Sequence, residues 1–235
     1  MDPDSPAAAR SGVRRTGAPA LDRSLVVGTA LRLLDEEGLD RLSLRRLARE
    51  LGVAAPALYW HFRDKQELLD HMMVALALEV GRVKAPAPGQ AWDSWLIERA
   101  RDQRRLMLAH RDSARLMAGS RPTVAMLPLI ESNVETLTQA GFTPGQALRT
   151  VLVLGSYVTG FVLDEQAEAA REANEGEARV GAAEQDFVDR MNAGEFPALA
   201  MAFQEVTDPN DEAGFEYGLS VILDGLRAQL DRKRG

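Results

Sequence analysis

The sequence predicts an all-α fold: a small N-terminal three-helix unit built around a helix-turn-helix, followed by a larger helical body. Three observations lead there. Apolar residues recur at helical spacing along most of the chain. No segment combines β-branched alternation with hairpin turn residues. Gly and Pro clusters break the helical pattern at intervals that suit short helices. With 235 residues, 46% of them hydrophobic, the chain is large enough for one sizeable core or two smaller ones. It has no cysteine, so disulfides and thiolate metal sites are excluded.

The elements follow in order. Residues 1–20, rich in Pro, Ala, Gly and Arg, are expected to form a flexible arm carrying Arg10, Arg14 and Arg15. Asp22 is a good N-cap, Leu25, Val26, Ala30, Leu33 and Leu34 share one face of the first helix, and Gly38 ends it. Ser43 caps a second helix with Leu44, Leu47 and Leu51 inward and Arg45, Arg46 and Arg49 outward, and Gly52 breaks it. A third helix is expected over 55–60, and Asp64 caps a fourth over 65–80. The run "KAPAPG" (84–89) marks a domain boundary, so the reading unit spans 21–83 and the body 84–235. Helical patterns then occupy 91–109, 111–118, 123–140, 144–173, 195–206 and 211–232. The Gly/Ala/Glu-rich stretch 174–194 is expected to be mostly loop, with a short helix near 184–191.

Charge is uneven. Residues 1–65 carry 11 basic against 9 acidic side chains, while 66–235 carry 17 against 26. A mildly basic head joined to an acidic body suits a head that meets nucleic acid. Two short helices around a tight turn, packed on a first helix, form the arrangement whose second helix enters the DNA major groove. Ala54, Ala55 and Ala57 let the backbone come close to the groove, and Ala57 could touch a thymine methyl. Pro56 costs no hydrogen bond at a helix start. Tyr59 and His61 can bond phosphates, and Lys65 adds charge beside the free N–H groups of the fourth helix. Leu58 and Phe62 are expected in the core, and Trp60 is expected both to pack and to touch the DNA backbone.

The stretch "GLDRLSLRRLARELGVAAPALYWHFRDKQELLD" resembles the DNA-binding domain of the TetR family, and its tetracycline-repressor-like subgroup in particular. The resemblance continues through "WDSWL", "RDSARLMAGSRP" and "GFVLDEQ", then "FPALAMAFQEV" and "FEYGLSVILDGLRAQL", and so covers most of the chain. It implies a homodimer whose heads bind a palindromic operator and are spread apart by an effector bound in the body. It also implies a repressor of efflux, resistance or secondary-metabolite genes. By position, Arg45, Pro56 and Ala57 match the family's base-reading sites, and Ser43, Tyr59, His61 and Lys65 its phosphate-contacting sites. The patterns at 144–173 and 211–232 resemble its dimerisation helices, although the same apolar faces could make an intramolecular core. The effector pocket maps onto Gly81, Arg99, Gln103, Met117, Ser120, Arg121, Ile130, Asn133, Val151, Ser156 and Asp164.

In the family's tetracycline-binding members the drug arrives as a magnesium chelate held directly by a histidine, and Met117 stands at that position. A soft thioether is a poor magnesium ligand. The expected effector is therefore metal-independent, mainly apolar with polar edges, and polycyclic, with Arg99 or Arg121 meeting an acidic or carbonyl oxygen. No cofactor and no enzymatic activity are expected: the three histidines have no metal-type spacing, and no nucleophile elbow, Walker motif or dinucleotide fingerprint occurs. The N-terminal stretch "MDPDSPAAARSGVRR" has no apolar core of a signal peptide, and the longest apolar run, "VAAPALYW", is far short of a membrane span. A cytoplasmic protein is the expectation.

Overall fold

The computed structural model describes residues 21–81, 86–175, 186–187, 189–191, 193–206 and 208–234; the expected arm at 1–20, part of the "KAPAPG" boundary and the middle of the 174–194 loop lie outside it. The described residues are helical, with no strand among them. The head comprises α1 (Arg23–Glu37), α2 (Leu44–Leu51), α3 (Ala55–Leu58) and α4 (Lys65–Gly81). The body comprises α5 (Trp92–Ala109), α6 (Ser113–Gly119), a 3₁₀ turn (Val124–Met126), α7 (Leu127–Gln139), α8 (Pro144–Glu175), α9 (Pro197–Glu205) and α10 (Glu212–Arg234).

Side-chain caps set the helix starts. Asp22 Oδ1 accepts from Leu25 N at 2.7 Å, and Ser43 Oγ from Arg46 N at 3.2 Å. At α4, Asp64 Oδ1 accepts from Glu67 N while Glu67 Oε2 accepts from Arg63 N, both at 2.8 Å. The start of α8 is a reciprocal capping box: Gln146 N donates to Thr143 Oγ1 and Thr143 N donates to Gln146 Oε1. Gly52 ends α2 in the left-handed region (φ 68°), where a side chain would be strained, and its turn fixes the angle between α2 and α3. Two expected helices are shorter than their patterns. α3 stops at Leu58, because both His61 N and Phe62 N fold back onto the Leu58 carbonyl. Pro128 sits in the first turn of α7, and the chain before it is a 3₁₀ turn rather than helix.

Two cores form. The head core gathers Val26, Ala30, Leu33 and Leu34 of α1, Leu47 of α2, Leu58, Phe62, and Leu68, Met72 and Leu76 of α4. The body core joins Trp95, Leu96 and Ala100 of α5, Leu137 and Phe142, Leu154, Val158 and Val162 of α8, and Phe215, Leu219 and Leu223 of α10. Leu116 of α6, although it is in the body by sequence, is 1% exposed inside the head core. Its neighbour Met117 packs against both cores.

The α8–α10 contact is aromatic and ionic. Tyr157 stacks on Phe215 with ring centroids 5.5 Å apart and donates its hydroxyl to the Phe215 carbonyl at 2.7 Å. The Arg104 guanidinium lies 4.8 Å from the Phe215 ring centroid and pairs with Glu165, which holds its pKa above the ordinary arginine value. Contrary to the expectation that no stretch approaches the length of a membrane span, Pro144–Arg171 of α8 is long and apolar enough to cross a membrane by length and composition, because Gly, Ser and Thr interrupt its apolar run but leave its mean hydropathy high. Leu148, Leu152 and Val153 on it are exposed in the single chain. Tyr217 and Val221 of α10 are exposed as well.

Because Leu116 fills the head core from the body side, Leu116→Ala should lower stability by about 2–5 kcal/mol in chemical denaturation. A loss below about 1 kcal/mol would mean that the head core closes without α6.

Candidate DNA-reading face and effector cavity

On the head, the α2–α3 region leaves a set of side chains at the surface. Arg45 and Arg49 are exposed and have no hydrogen-bond or ion-pair partner among the described residues. Ser43 and Pro56 are exposed, Ala57 and His61 half-buried. Tyr59 is 56% exposed and Trp60 88%. A tryptophan left in water to that degree costs hydrophobic free energy that nothing in the single chain recovers, which marks a contact surface. Trp60 therefore does not pack into the head core, contrary to the expectation of a dual role: Leu58 and Phe62 point into the core from either side of it, and Trp60 points away into solvent.

Two basic residues are committed elsewhere. Arg46, expected to point outward, is half-buried and pairs with Glu37 at 2.6 Å and Glu50 at 2.8 Å; Glu50 also takes Arg32, so the network ties α1 to α2. Lys65 is half-buried, and its Nζ donates to the Leu39 carbonyl at 3.2 Å. It stands at the start of α4, as the sequence indicates, but with part of its hydrogen-bonding capacity used by the α1–α2 turn.

In the body, a cavity of 510 Å³ opens between α4, α5, α6, the 3₁₀ turn, α7 and α8. Eight residues anticipated from sequence line it: Arg99, Gln103, Met117, Ser120, Ile130, Asn133, Val151 and Ser156. Three do not come together with them. Arg121 is exposed, and its backbone N–H is tied to Asp70 Oδ1 at 3.0 Å as the chain leaves α6. Asp164 is exposed: the α8 wall runs through Leu152, Ser156, Thr159, Gly160 and Leu163, and Asp164 is one residue further round the helix. Gly81 ends α4 at the limit of the described residues, and its surroundings lie outside them.

Sequence reasoning missed part of the wall. Met73, Leu76 and Ala77 of α4 line the cavity as well as the head core, and Met107, Met126 and Thr159 are also on the wall. Helical spacing alone shows these residues as core, and nothing in the pattern separates a core face from a cavity face. The polar groups on the wall are Arg99, Gln103, Ser120, Asn133, Ser156 and Thr159. Ser120 Oγ is buried without a hydrogen-bond partner among the described residues. Burial holds the Arg99 guanidinium below its ordinary pKa, and its Cζ lies 5.5 Å from the Trp95 ring centroid. This donor set does not fit magnesium: no carboxylate or imidazole faces the cavity among the described residues, and Met117 offers only a thioether.

A polar seam joins head to body. His110 Nδ1 lies 2.9 Å from Asp35 Oδ2, and Arg111 N donates to Asp35 Oδ1. Leu39 N donates to Asp112 Oδ2 at 2.8 Å, and Arg115 pairs with Asp40 at 2.8 Å. Gln66 Nε2 donates to the Gly119 carbonyl at the far end of α6. Behind α6, Gln166 of α8 donates to the Met107 and His110 carbonyls and accepts from Ala114 N, fixing the α5–α6 turn to the long helix.

Comparison with known proteins places this geometry. Residues 26–72 match the family described as bacterial regulatory proteins, tetR family, and residues 85–230 match the tetracyclin repressor-like C-terminal domain. The tetracycline repressor class A from transposon 1721 of Escherichia coli is 39% identical over 206 residues, covering 88% of this chain and 90% of the relative. A TetR variant from Acinetobacter baumannii AYE, solved in complex with minocycline, superposes with a TM-score of 0.71 at 32% identity, covering 89% of this chain and 95% of its own. The Streptomyces coelicolor TetR family protein ActR, solved with (S)-DNPA, superposes with a TM-score of 0.72 at 32% identity, covering 91% of this chain and all of its own (100%). A head whose turn leaves Arg45 and Trp60 in solvent, and a cavity bounded by the helix that leaves that head, are thus found in a chain that belongs to the TetR family of bacterial transcriptional regulators.

Proposed function

We propose that this regulator represses transcription as a homodimer, reads its operator through the α2–α3 face, and is released when an organic effector fills the body cavity without a metal. The observation that carries the reading is the double exposure of α4: Met73, Leu76 and Ala77 face the cavity, while Met73 and Leu76 also seal the head core. A molecule that occupies the cavity must press on the helix that holds the reading head.

On DNA, Arg45 is the base-reading residue best supported, being exposed and unpaired among the described residues. Its planar fork suits the O6 and N7 acceptors of guanine. Pro56 and Ala57 accompany it at the groove. Ser43, Tyr59, Trp60, His61 and Lys65 are assigned to the phosphate backbone. Lys65 would give up the Leu39 carbonyl or share its ammonium protons between that oxygen and a phosphate. The exposed apolar stripe of α8, with Leu148, Leu152 and Val153, and that of α10, with Tyr217 and Val221, are assigned to the subunit interface. A four-helix bundle of that kind accounts for the apolar length of α8 without a membrane.

For the effector, the wall favours an apolar, polycyclic body. Four methionines, Met73, Met107, Met117 and Met126, line the cavity, and methionine adapts to flat rings and makes favourable sulfur–aromatic contacts. That one relative is solved with minocycline and another with (S)-DNPA supports a ligand of this size. Arg99, not Arg121, is positioned to meet a ligand oxygen. Efflux, resistance or secondary-metabolite genes remain the targets proposed.

Gel-shift titration against the DNA upstream of its own gene tests the reading. Arg45→Ala should cost about 1–3 kcal/mol and relax preference at one base pair, whereas Lys65→Ala should weaken all sequences alike and reduce the salt dependence. Indistinguishable sequence profiles for the two variants would contradict this division. For the effector, compounds that release the operator should do so equally with and without EDTA. Release that requires added magnesium would overturn the metal-free assignment.

A further inference from the structure

The wall of the cavity carries an electrostatic imbalance. Among the described residues, Arg99 is the one ionisable side chain that lines it. It has no carboxylate, carbonyl or amide acceptor within hydrogen-bonding distance among those residues, and its guanidinium lies over the Trp95 ring. This differs from the other arginines of α5: Arg101 is paired with Glu216, Arg104 with Glu165 and Arg105 with Asp102. A guanidinium taken out of bulk water without a counter-charge is costly, and a protein that keeps one in a cavity recovers that cost when an anion arrives. Burial already lowers the Arg99 pKa, consistent with a charge that lacks compensation. The remaining polar groups of the wall are neutral, and several can donate: Gln103, Asn133, and Ser120, whose buried Oγ has no partner among the described residues. Asn133 is 4% exposed, so its amide too is largely withdrawn from water.

We infer that the cavity selects a singly anionic aromatic ligand, whose carboxylate, sulfonate or phenolate oxygen is held by Arg99 and whose fused rings lie across the methionines. The inference rests on the cavity being the effector site and adds the charge that the effector must carry. Arg99 acts here as a specificity-determining residue. The guanidinium, fixed against Trp95, presents its free N–H groups to the anion, and a charge-assisted bond in a mainly apolar cavity discriminates strongly against a neutral analogue of the same shape. A second charge on the ligand would find no ionic partner among the described residues of the wall.

Two fluorescent probes that share a scaffold test this on the full-length dimer: 8-anilinonaphthalene-1-sulfonate, which is anionic, and N-phenyl-1-naphthylamine, which lacks the sulfonate. Arg99→Gln should weaken the anionic probe by about tenfold or more, the loss expected of one charged hydrogen bond. The neutral probe should change less than about twofold, which also serves as the check that the variant is folded. Arg99→Lys should recover part of the anionic affinity. The site itself is checked with Gly155→Trp, since a Cβ at Gly155 meets nothing within 4 Å and an indole there would occupy the cavity. Loss of both probes in Gly155→Trp together with equal effects of Arg99→Gln on the two would leave the cavity as the binding site and overturn the anion requirement. Unchanged binding of both probes in Gly155→Trp would overturn the effector cavity itself, and the charge requirement with it. Selective loss of the anionic probe in Arg99→Gln, with both lost in Gly155→Trp, is the result expected.

Discussion

Leu116 and Met117 are adjacent on α6 and belong to different parts of the protein. Leu116 is sealed in the head core, while Met117 packs against both cores and lines the cavity. Their neighbourhood makes the two halves of the chain one mechanical object. A ligand that displaces the backbone of the seven-residue α6 at Met117, beyond what the flexible Met117 side chain absorbs, carries Leu116 with it. Packed interiors respond to such displacement by moving between arrangements, not by compressing. α4 imposes the same constraint from the other side, because Met73 and Leu76 are shared by cavity and head core.

The polar seam around this joint reinforces it without dominating it. Asp35, Leu39 and Asp40 of the head meet His110, Arg111, Asp112 and Arg115 at the start of α6. Arg115 and Asp40 are substantially exposed, and an ion pair of that kind is worth no more than about 1 kcal/mol. The bond from Leu39 N to Asp112 matters for direction more than for strength. Asp112 adopts a positive φ of 54° to offer that carboxylate, so the turn that launches α6 is registered against the turn between α1 and α2. Gln166 holds the other side of the same turn to α8. In the dimer proposed here α8 lies in the subunit interface, so the joint is anchored to that interface.

Much of this was legible in the residues. Asp22, Ser43 and Asp64 announce helix starts because a short acceptor before an apolar-periodic run has little else to do, and Gly52 announces the turn between α2 and α3. The end of α3 was not legible, because it depends on two amides folding back on one carbonyl. The difference between Arg45 and Arg46 was not legible either. Both look outward on a helical wheel, and only the approach of Glu37 and Glu50 takes Arg46 out of play. For the cavity, the family resemblance named eight of the wall residues, while Arg121 and Asp164 lie off the wall: Arg121 in the segment that follows α6, and Asp164 one residue further round α8 than Leu163. The share of α4 in the wall was hidden because a methionine at core spacing looks the same whether its neighbour is another side chain or a ligand.

The central claim is that filling the cavity moves the reading heads through the α4–α6 joint. The chain contains no cysteine, so Arg41→Cys at the exposed turn between α1 and α2 would give one unique labelling position per subunit. Spin labels there would report the head-to-head distance in the dimer by pulsed electron resonance, with and without a compound that releases the protein from its upstream DNA. The account predicts a longer distance when the compound is bound. Release of the DNA with an unchanged distance distribution would contradict it.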